Sequence, residues 1–495
     1  MPIKIGWSQA LKLVQNHKFQ LIIIILLAFF IRLYRITNPV LDWHAFRQAD
    51  TASVTYRYSQ EGINLLEPKY HDLSNIQSGL ENPEGHRMVE FPIINALIAG
   101  LLITFPQLDI VVTSRFFSVL FSLGTLLAFY WLIKQISYKK LALVSTSFLA
   151  FLPFSVYYSR VILPEPFMLF FSTLSLATLT AYLKQQKLIY WWLSWVSLAL
   201  GLLLKPFIAF LGPVYMTLIM LYDSKFYKKI YFYLYPILAF VPLALWRLWI
   251  ANFPQGIPAF DWLLNTDGIR FRPAWFRWLF WERITKLISG VAGIFLILAN
   301  ILNRNRIFLI LASWWLGILG FFIVIATGNV RHDYYQVLIL PCISLTLGRG
   351  SLLLYDYLTQ QLRKRVGFSR IISGSIVVLL SLTIFIIGWF QVKGFYNVNN
   401  WEYLRAGQEA DQLLPPESKV IAPAMGDTMF LFQTRRNGWP IGHHIEEKIE
   451  LGATHYITTS FDKEAAQLEK KFITVKKTSE YMIIDLTSYR NQQDE

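Results

Sequence analysis

The sequence predicts an all-α polytopic membrane body of about eleven transmembrane helices with juxtamembrane helices beside them, followed by a small soluble α/β domain. Three observations lead there. Of the 495 residues 55% are hydrophobic and only 16% charged, a balance too apolar for an ordinary soluble domain, so a bilayer must be the solvent. Apolar runs recur as far as Phe390, with Lys and Arg gathered in short groups between them. From Lys393 onward those runs stop and soluble-domain patterning begins. Residues 1–392 are therefore expected to form the membrane domain, with 37–111 as its first outer loop, and residues 393–495 the soluble domain.

A net charge of +15 would suit nucleic acid if the cations lay along one face. They punctuate the apolar runs instead, which makes them a topology signal and argues against a nucleic-acid partner. The single cysteine, Cys342, sits inside an apolar run and excludes both an intramolecular disulfide and a cysteine-based metal site.

Phe19 to Leu33, preceded by Lys4, Lys12 and Lys18 and lacking a small-residue cleavage site, is expected to be an uncleaved first span with its amino terminus in the cytoplasm. Thr37 to Val89 is a long polar stretch. Phe91 to Phe105 is short and bounded by Pro92 and Pro106, so it is expected to lie along or dip into the outer leaflet. Phe116 to Ile133 returns to Lys134, Lys139 and Lys140; Leu141 to Tyr158 goes out, and Phe167 to Leu183 comes back to Lys184 and Lys187. Leu188 to Tyr222 is basic at both ends, which requires an even number of crossings and a break, placed at Lys205-Pro206 where proline interrupts the helix ladder. Tyr231 to Ile250, Ile284 to Leu302, Ile307 to Ala326, Tyr334 to Leu354 and Ile371 to Phe390 complete the spans, with Arg363, Lys364, Arg365 and Arg370 in the last inner loop. This threading puts the soluble domain outside the cytoplasm, with a helix at Trp401 to Leu414 and strands at Lys419 to Ala422, His455 to Thr459 and Tyr481 to Leu486.

The polar residues that this threading collects on the outer face are the candidates for chemistry. Asp42, Arg47 and Asp50 fall within nine residues of the first outer loop, followed by Arg87 and Glu90. Ser159-Arg160 and Pro164-Glu165-Pro166 form a second loop on the same face, to which Lys205 and the stretch Asn329 to Tyr335, with His332, also return. Each taken alone has a plainer reading, as solvated loop charge, loop ion pair or interfacial histidine; as a set, acids and cations on one side of a membrane mark a site.

At these residues the chain resembles the GT-C class of integral membrane glycosyltransferases, in particular the family of dolichyl-phosphate-mannose protein mannosyltransferases and bacterial aminoarabinose transferases. The resemblance covers roughly Phe19 to Phe390 and rests on Arg47 to Ala52, Glu90-Phe91-Pro92, the Ser159 to Pro166 loop, Gly201 to Pro206 and His332 to Pro341. It implies inverting transfer of a sugar preloaded on a polyprenyl phosphate, at the extracytoplasmic face of a bacterial inner membrane or plasma membrane, to a glycan, lipid or protein acceptor. Membrane lipids are the remaining partners. Under that resemblance Asp50 is the leading catalytic carboxylate with Asp42 as its competitor; Glu165 is a further acid, and Arg47, Arg87, Glu90, Arg160, Lys205 and His332 are substrate-binding candidates. The chemistry suits the residue types, because a hydroxyl nucleophile needs a carboxylate to take its proton and a departing phosphate needs cations. Cofactor use is left open, with Asp50, Glu90 and His332 as the candidates should a divalent metal ion take part. The competing class is a transporter or flippase for a lipid-linked or anionic substrate, whose expected broken helices at mid-membrane in two related halves are not evident. A third is a noncatalytic membrane scaffold that presents the soluble domain.

Overall fold

The computed structural model describes residues 16–363 and 366–490. Lys4, Lys12, Lys364 and Arg365, and the two ends of the expected domains, lie outside the described residues. The chain divides into two compact units that interleave in sequence: Met1–Tyr34, Phe117–Leu245 and Phe260–Gly394 form one, and Arg35–Phe116, Trp246–Ala259 and Phe395–Glu495 the other.

The first unit is the membrane body, and the chain is a multi-pass membrane protein. Among the described residues six helices are long and apolar enough to cross a bilayer, or seven if a bent pair counts as one span. The remaining apolar segments are shorter helices, including Leu188–Leu204 and Pro206–Tyr222. Their boundary stands where the sequence places it. Lys205 has extended backbone (φ −150°, ψ 112°), ends the helix Leu188–Leu204, and is followed by a tight 3-10 turn Pro206–Leu211 and the helix Gly212–Tyr222. Proline after Lys205 cannot continue the ladder, which frees the lysine to leave the helix axis.

One expected span is corrected. Ile284 to Leu302 is not a straight helix: Pro273–Ile288 and Gly293–Leu302 meet at 109°. Gly290 (φ +53°) and Val291 (φ +56°) turn the chain in the left-handed region. A Cβ at Gly290 would stand 2.3 Å from the Ile384 carbonyl oxygen, so the bend depends on glycine letting two backbones touch. Hydropathy averages over such a bend and cannot register it.

The second unit joins the first outer loop to the α/β domain. Its sheet has five strands, β1 Lys419–Ile421, β2 Asn437–Trp439, β3 His455–Thr458, β4 Phe472–Lys477 and β5 Met482–Tyr489, in the order β2-β1-β3-β5-β4. β1 is parallel to β2 and β3, whereas β5 is antiparallel to β3 and β4. Successive residues alternate between two cores. Ile421, Tyr456 and Ile484 pack with Trp439, Ala465 and Phe472 on one face, and Val420, Ile457 and Ile483 pack with Ala406, Ala410 and Phe430 on the other. Helices thus cover both faces, which explains why apolar residues are buried on both sides of β1 and β3. The expected helix and strands at Trp401, Lys419, His455 and Tyr481 are all present within a few residues; β2, β4 and three short helices were not foreseen.

In the same unit the outer loop is built on two helices. Ala45–Glu61 carries Arg47 and Asp50, and Ile93–Thr104, about 18 Å long by its 12 residues, is too short to cross and packs on it through Asn95, which donates to the Thr51 carbonyl at 2.8 Å and the Thr55 hydroxyl at 2.9 Å. The 71–73 segment adds to the free edge of β2: the Gly438 amide donates to the His71 carbonyl at 2.9 Å and the Leu73 amide to the Gly438 carbonyl at 2.8 Å.

Candidate active site

In the second unit the acids of the first outer loop are each met by a cation. Arg47 pairs with Glu90 across the two loop helices. Asp42, whose side chain is fully buried, sits 3.2 Å from the equally buried Arg115 and accepts from Gln48 Nε2 at 2.8 Å. Arg115 in turn donates to the carbonyls of Ile36 and Asn38. The pair therefore closes the entry to the Ala45–Glu61 helix, which begins at His44 in the left-handed conformation (φ 57°).

Asp50 is held differently. Its Oδ2 lies 2.9 Å from Arg87 Nη2 and accepts from Gln77 Nε2 at 3.3 Å, and its Oδ1 accepts from the Thr428 hydroxyl at 2.8 Å. Arg87 also donates to the Gln77 side-chain oxygen and lies over the Tyr70 ring. An ionised carboxylate offers about four lone-pair positions, so three donors fix its orientation and leave capacity for one more hydrogen bond.

Beside it, Asp72 is wholly buried; burial lifts its carboxyl to about 7, with the Asp50 charge adding and hydrogen bonds from Ser74 opposing. A pH dependence follows. Below about pH 4 the folded and unfolded chains both hold this proton, and between there and about 7 only the folded chain does, so the stability it contributes is lost as pH rises through that window. Asp72→Asn, with no proton to lose, should flatten the decline and exceed the parent at pH 8 by up to about 4 kcal/mol. Thermal unfolding in detergent from about pH 4 to about pH 8 measures this; an identical slope in the variant rejects it.

In the membrane body, Arg160 is completely buried over the Tyr157 ring. Glu165 opens the helix Glu165–Gln185. Lys205, displaced by the proline break, brings Nζ to 3.3 Å from Glu165 Oε1 and lies over the Tyr335 ring. Both Glu165 oxygens are buried without a hydrogen-bond donor. His332 stacks on Tyr334 and meets Trp262 edge-on.

Sequence reasoning missed several residues that the fold brings to these clusters. Asp333 accepts from the Tyr158 hydroxyl at 2.5 Å and lies 3.7 Å from Arg283 Nη1, a buried acid adjacent to the histidine that had been singled out. Thr428, Gln77 and Asp72 stand beside Asp50 with no motif to announce them. Among the described residues no group of three or more His, Cys, Asp or Glu could hold a metal ion. Asp50 and Glu90 already face Arg87 and Arg47, so the donor set does not suit a divalent ion and no step is routed through one.

The whole architecture has solved counterparts. ArnT from Cupriavidus metallidurans bound to undecaprenyl phosphate superposes with a TM-score of 0.62 over 94% of this chain and 97% of its own, at 13% identity. This is the GT-C fold. The archaeal oligosaccharyltransferase AglB from Archaeoglobus fulgidus, in complex with an inhibitory peptide and a dolichol-phosphate, shares the GT-C architecture over 96% of this chain and 74% of its own, with a TM-score of 0.57 and 10% identity. An apo form of the oligosaccharyltransferase from the same organism covers 88% of this chain and 69% of its own, again at a TM-score of 0.57 and 11% identity. Residues 22–252 of the GT-C chain match the dolichyl-phosphate-mannose-protein mannosyltransferase family. No curated protein matches by sequence.

Proposed function

We propose that this chain transfers a sugar from a polyprenyl-phosphate-linked donor to an acceptor hydroxyl at the extracytoplasmic face, with inversion. Asp50 takes the proton of the acceptor hydroxyl as its oxygen attacks the anomeric carbon, while the carbon–oxygen bond to phosphate breaks and the electron pair leaves on the lipid phosphate. In the membrane body, Arg160 and Lys205 are the cations offered to a lipid phosphate, one by a planar fork of donors and the other as a point charge. Glu165, whose oxygens lack donors, binds substrate hydroxyls; Arg47 and Glu90 position the loop beneath Asp50, and His332 contributes an aromatic wall. Asp42, locked to Arg115, acts as a structural acid and not as the base. The amino terminus is then cytoplasmic and the α/β domain lies outside.

The observation that carries this reading is Asp50 itself: buried, oriented by three donors, with room for one further proton donor. Support comes from the mannosyltransferase family match and from the lipid phosphates in the complexes of ArnT and AglB. The test supplies radiolabelled polyprenyl-phosphate sugars, mannose first, to membranes with and without this chain. A labelled glycan, lipid or protein fraction that depends on the chain is the expected result, and its absence for every sugar offered would refute the proposal.

A kinetic prediction follows from the membrane-body cluster. Lys205→Met or Arg160→Gln should raise the KM for the lipid donor about tenfold or more, the scale of one lost charge-assisted hydrogen bond, and leave the KM for acceptor nearly unchanged. The reverse pattern, acceptor weakened and donor unaffected, overturns the phosphate assignment.

A further inference from the structure

The α/β domain has no role in the chemistry so far described, yet one of its side chains touches the proposed base. Thr428, the first residue of the helix Thr428–Gln433, places its hydroxyl 2.8 Å from Asp50 Oδ1 across 378 residues of sequence. The contact is not a chance meeting of two surfaces. Asp427 caps the helix by accepting from the Met429 amide at 2.8 Å, which fixes the orientation of the threonine. Gln433, at the other end of the helix, donates to the Val40 carbonyl at 3.2 Å. Arg57, on the helix that carries Asp50, donates to the Asn437 side chain at 3.0 Å, and the 71–73 segment continues the sheet from β2. These bonds tie the helix and β2 to the outer loop, so the hydroxyl has little freedom to leave its carboxylate.

We infer that the α/β domain completes the site by supplying Thr428 as a positioning residue, whose hydroxyl holds the Asp50 carboxylate in the orientation that accepts the substrate proton. The inference rests on the reading of Asp50 as the base. The hydroxyl proton, directed at Oδ1, turns the carboxylate so that Arg87 and Gln77 can share Oδ2. The charged and titratable groups around Asp50 are Arg87, Asp72, Asp427 and Tyr70, together with Arg47, on the helix that carries Asp50, and its partner Glu90. None of these is altered by a threonine substitution.

The test uses the full chain in detergent or nanodiscs with the polyprenyl-phosphate sugar that wild-type membranes turn over, tritiated polyprenyl-phosphate mannose first. Thr428→Val keeps the shape and removes the donor. Its kcat should fall about tenfold, the scale of one hydrogen bond to a charged group, with donor KM unchanged. Thr428→Ser should restore kcat. Thermal unfolding of Thr428→Val, Asp50→Asn and the double variant should be non-additive, which reports the contact without any need for activity. A Thr428→Val enzyme with wild-type kcat, or additive unfolding shifts, overturns the inference. If Asp50→Asn abolishes turnover at the same time, the base assignment survives that failure; if Asp50→Asn is fully active, the base assignment falls first.

Discussion

Asp50→Asn should insert and fold but lose sugar transfer by about a thousandfold in kcat, within the range that a positioned general base supplies. The substitution keeps the size of the side chain, turns one acceptor oxygen into an NH2 donor and removes its ability to take a proton. It also removes the negative charge 2.9 Å from Arg87, a buried pair whose loss alone costs stability. Two controls separate chemistry from folding. Gel filtration and thermal unfolding count the folded molecules, and Asp50→Ala should recover part of its activity when formate is added, since a small carboxylate can occupy the vacated place. Full activity of Asp50→Asn per folded molecule would end the base assignment, and Gln77→Ala, which removes one donor to Asp50 and one acceptor for Arg87 but leaves the carboxylate, should be the milder defect.

Arg115→Ala should show the largest loss of stability, about 3 to 5 kcal/mol, because it strands the fully buried Asp42 carboxylate. The same guanidinium satisfies the Ile36 and Asn38 carbonyls, so the turn entering the Ala45–Glu61 helix should loosen as well. Asp42→Asn should be destabilised in the same direction, yet its folded fraction should turn over within a few-fold of the parent. Replacing both partners by apolar residues, Asp42→Leu with Arg115→Met, should recover much of the loss, since no buried charge is then left alone. Thermal unfolding of the four proteins measures the coupling. If Asp42→Asn proved stable but inactive, the roles given to Asp42 and Asp50 would have to be exchanged.

Much of the architecture was legible because its causes are local. The break at Lys205 follows from the proline beside it, and the short helix Ile93–Thr104 from a mostly apolar run between Pro92 and Pro106. The strands at Lys419 and His455 follow from short apolar runs, although β2, only three residues around Gly438, carries too little pattern to stand out. The bend at Gly290 was hidden for another reason. Its cause is the Ile384 carbonyl, 94 residues away, pressing on a position where only glycine fits.

The candidate site divides along the same line. Residue type and loop position were enough to name Asp50, Arg87, Glu165 and Lys205, since charge beside a bilayer is expensive and is seldom kept without use. Their pairing was not readable: that Arg87 meets Asp50 while Arg115 meets Asp42, and that Thr428 reaches Asp50, is decided by which backbones pack together. By itself the sequence determined a membrane body, its breaks and a short set of acids and cations, because hydropathy and proline act over a few residues. Only the tertiary structure decided which carboxylate is locked into the scaffold and which keeps room for a proton, because a hydrogen bond depends on ångström distances between residues hundreds of positions apart.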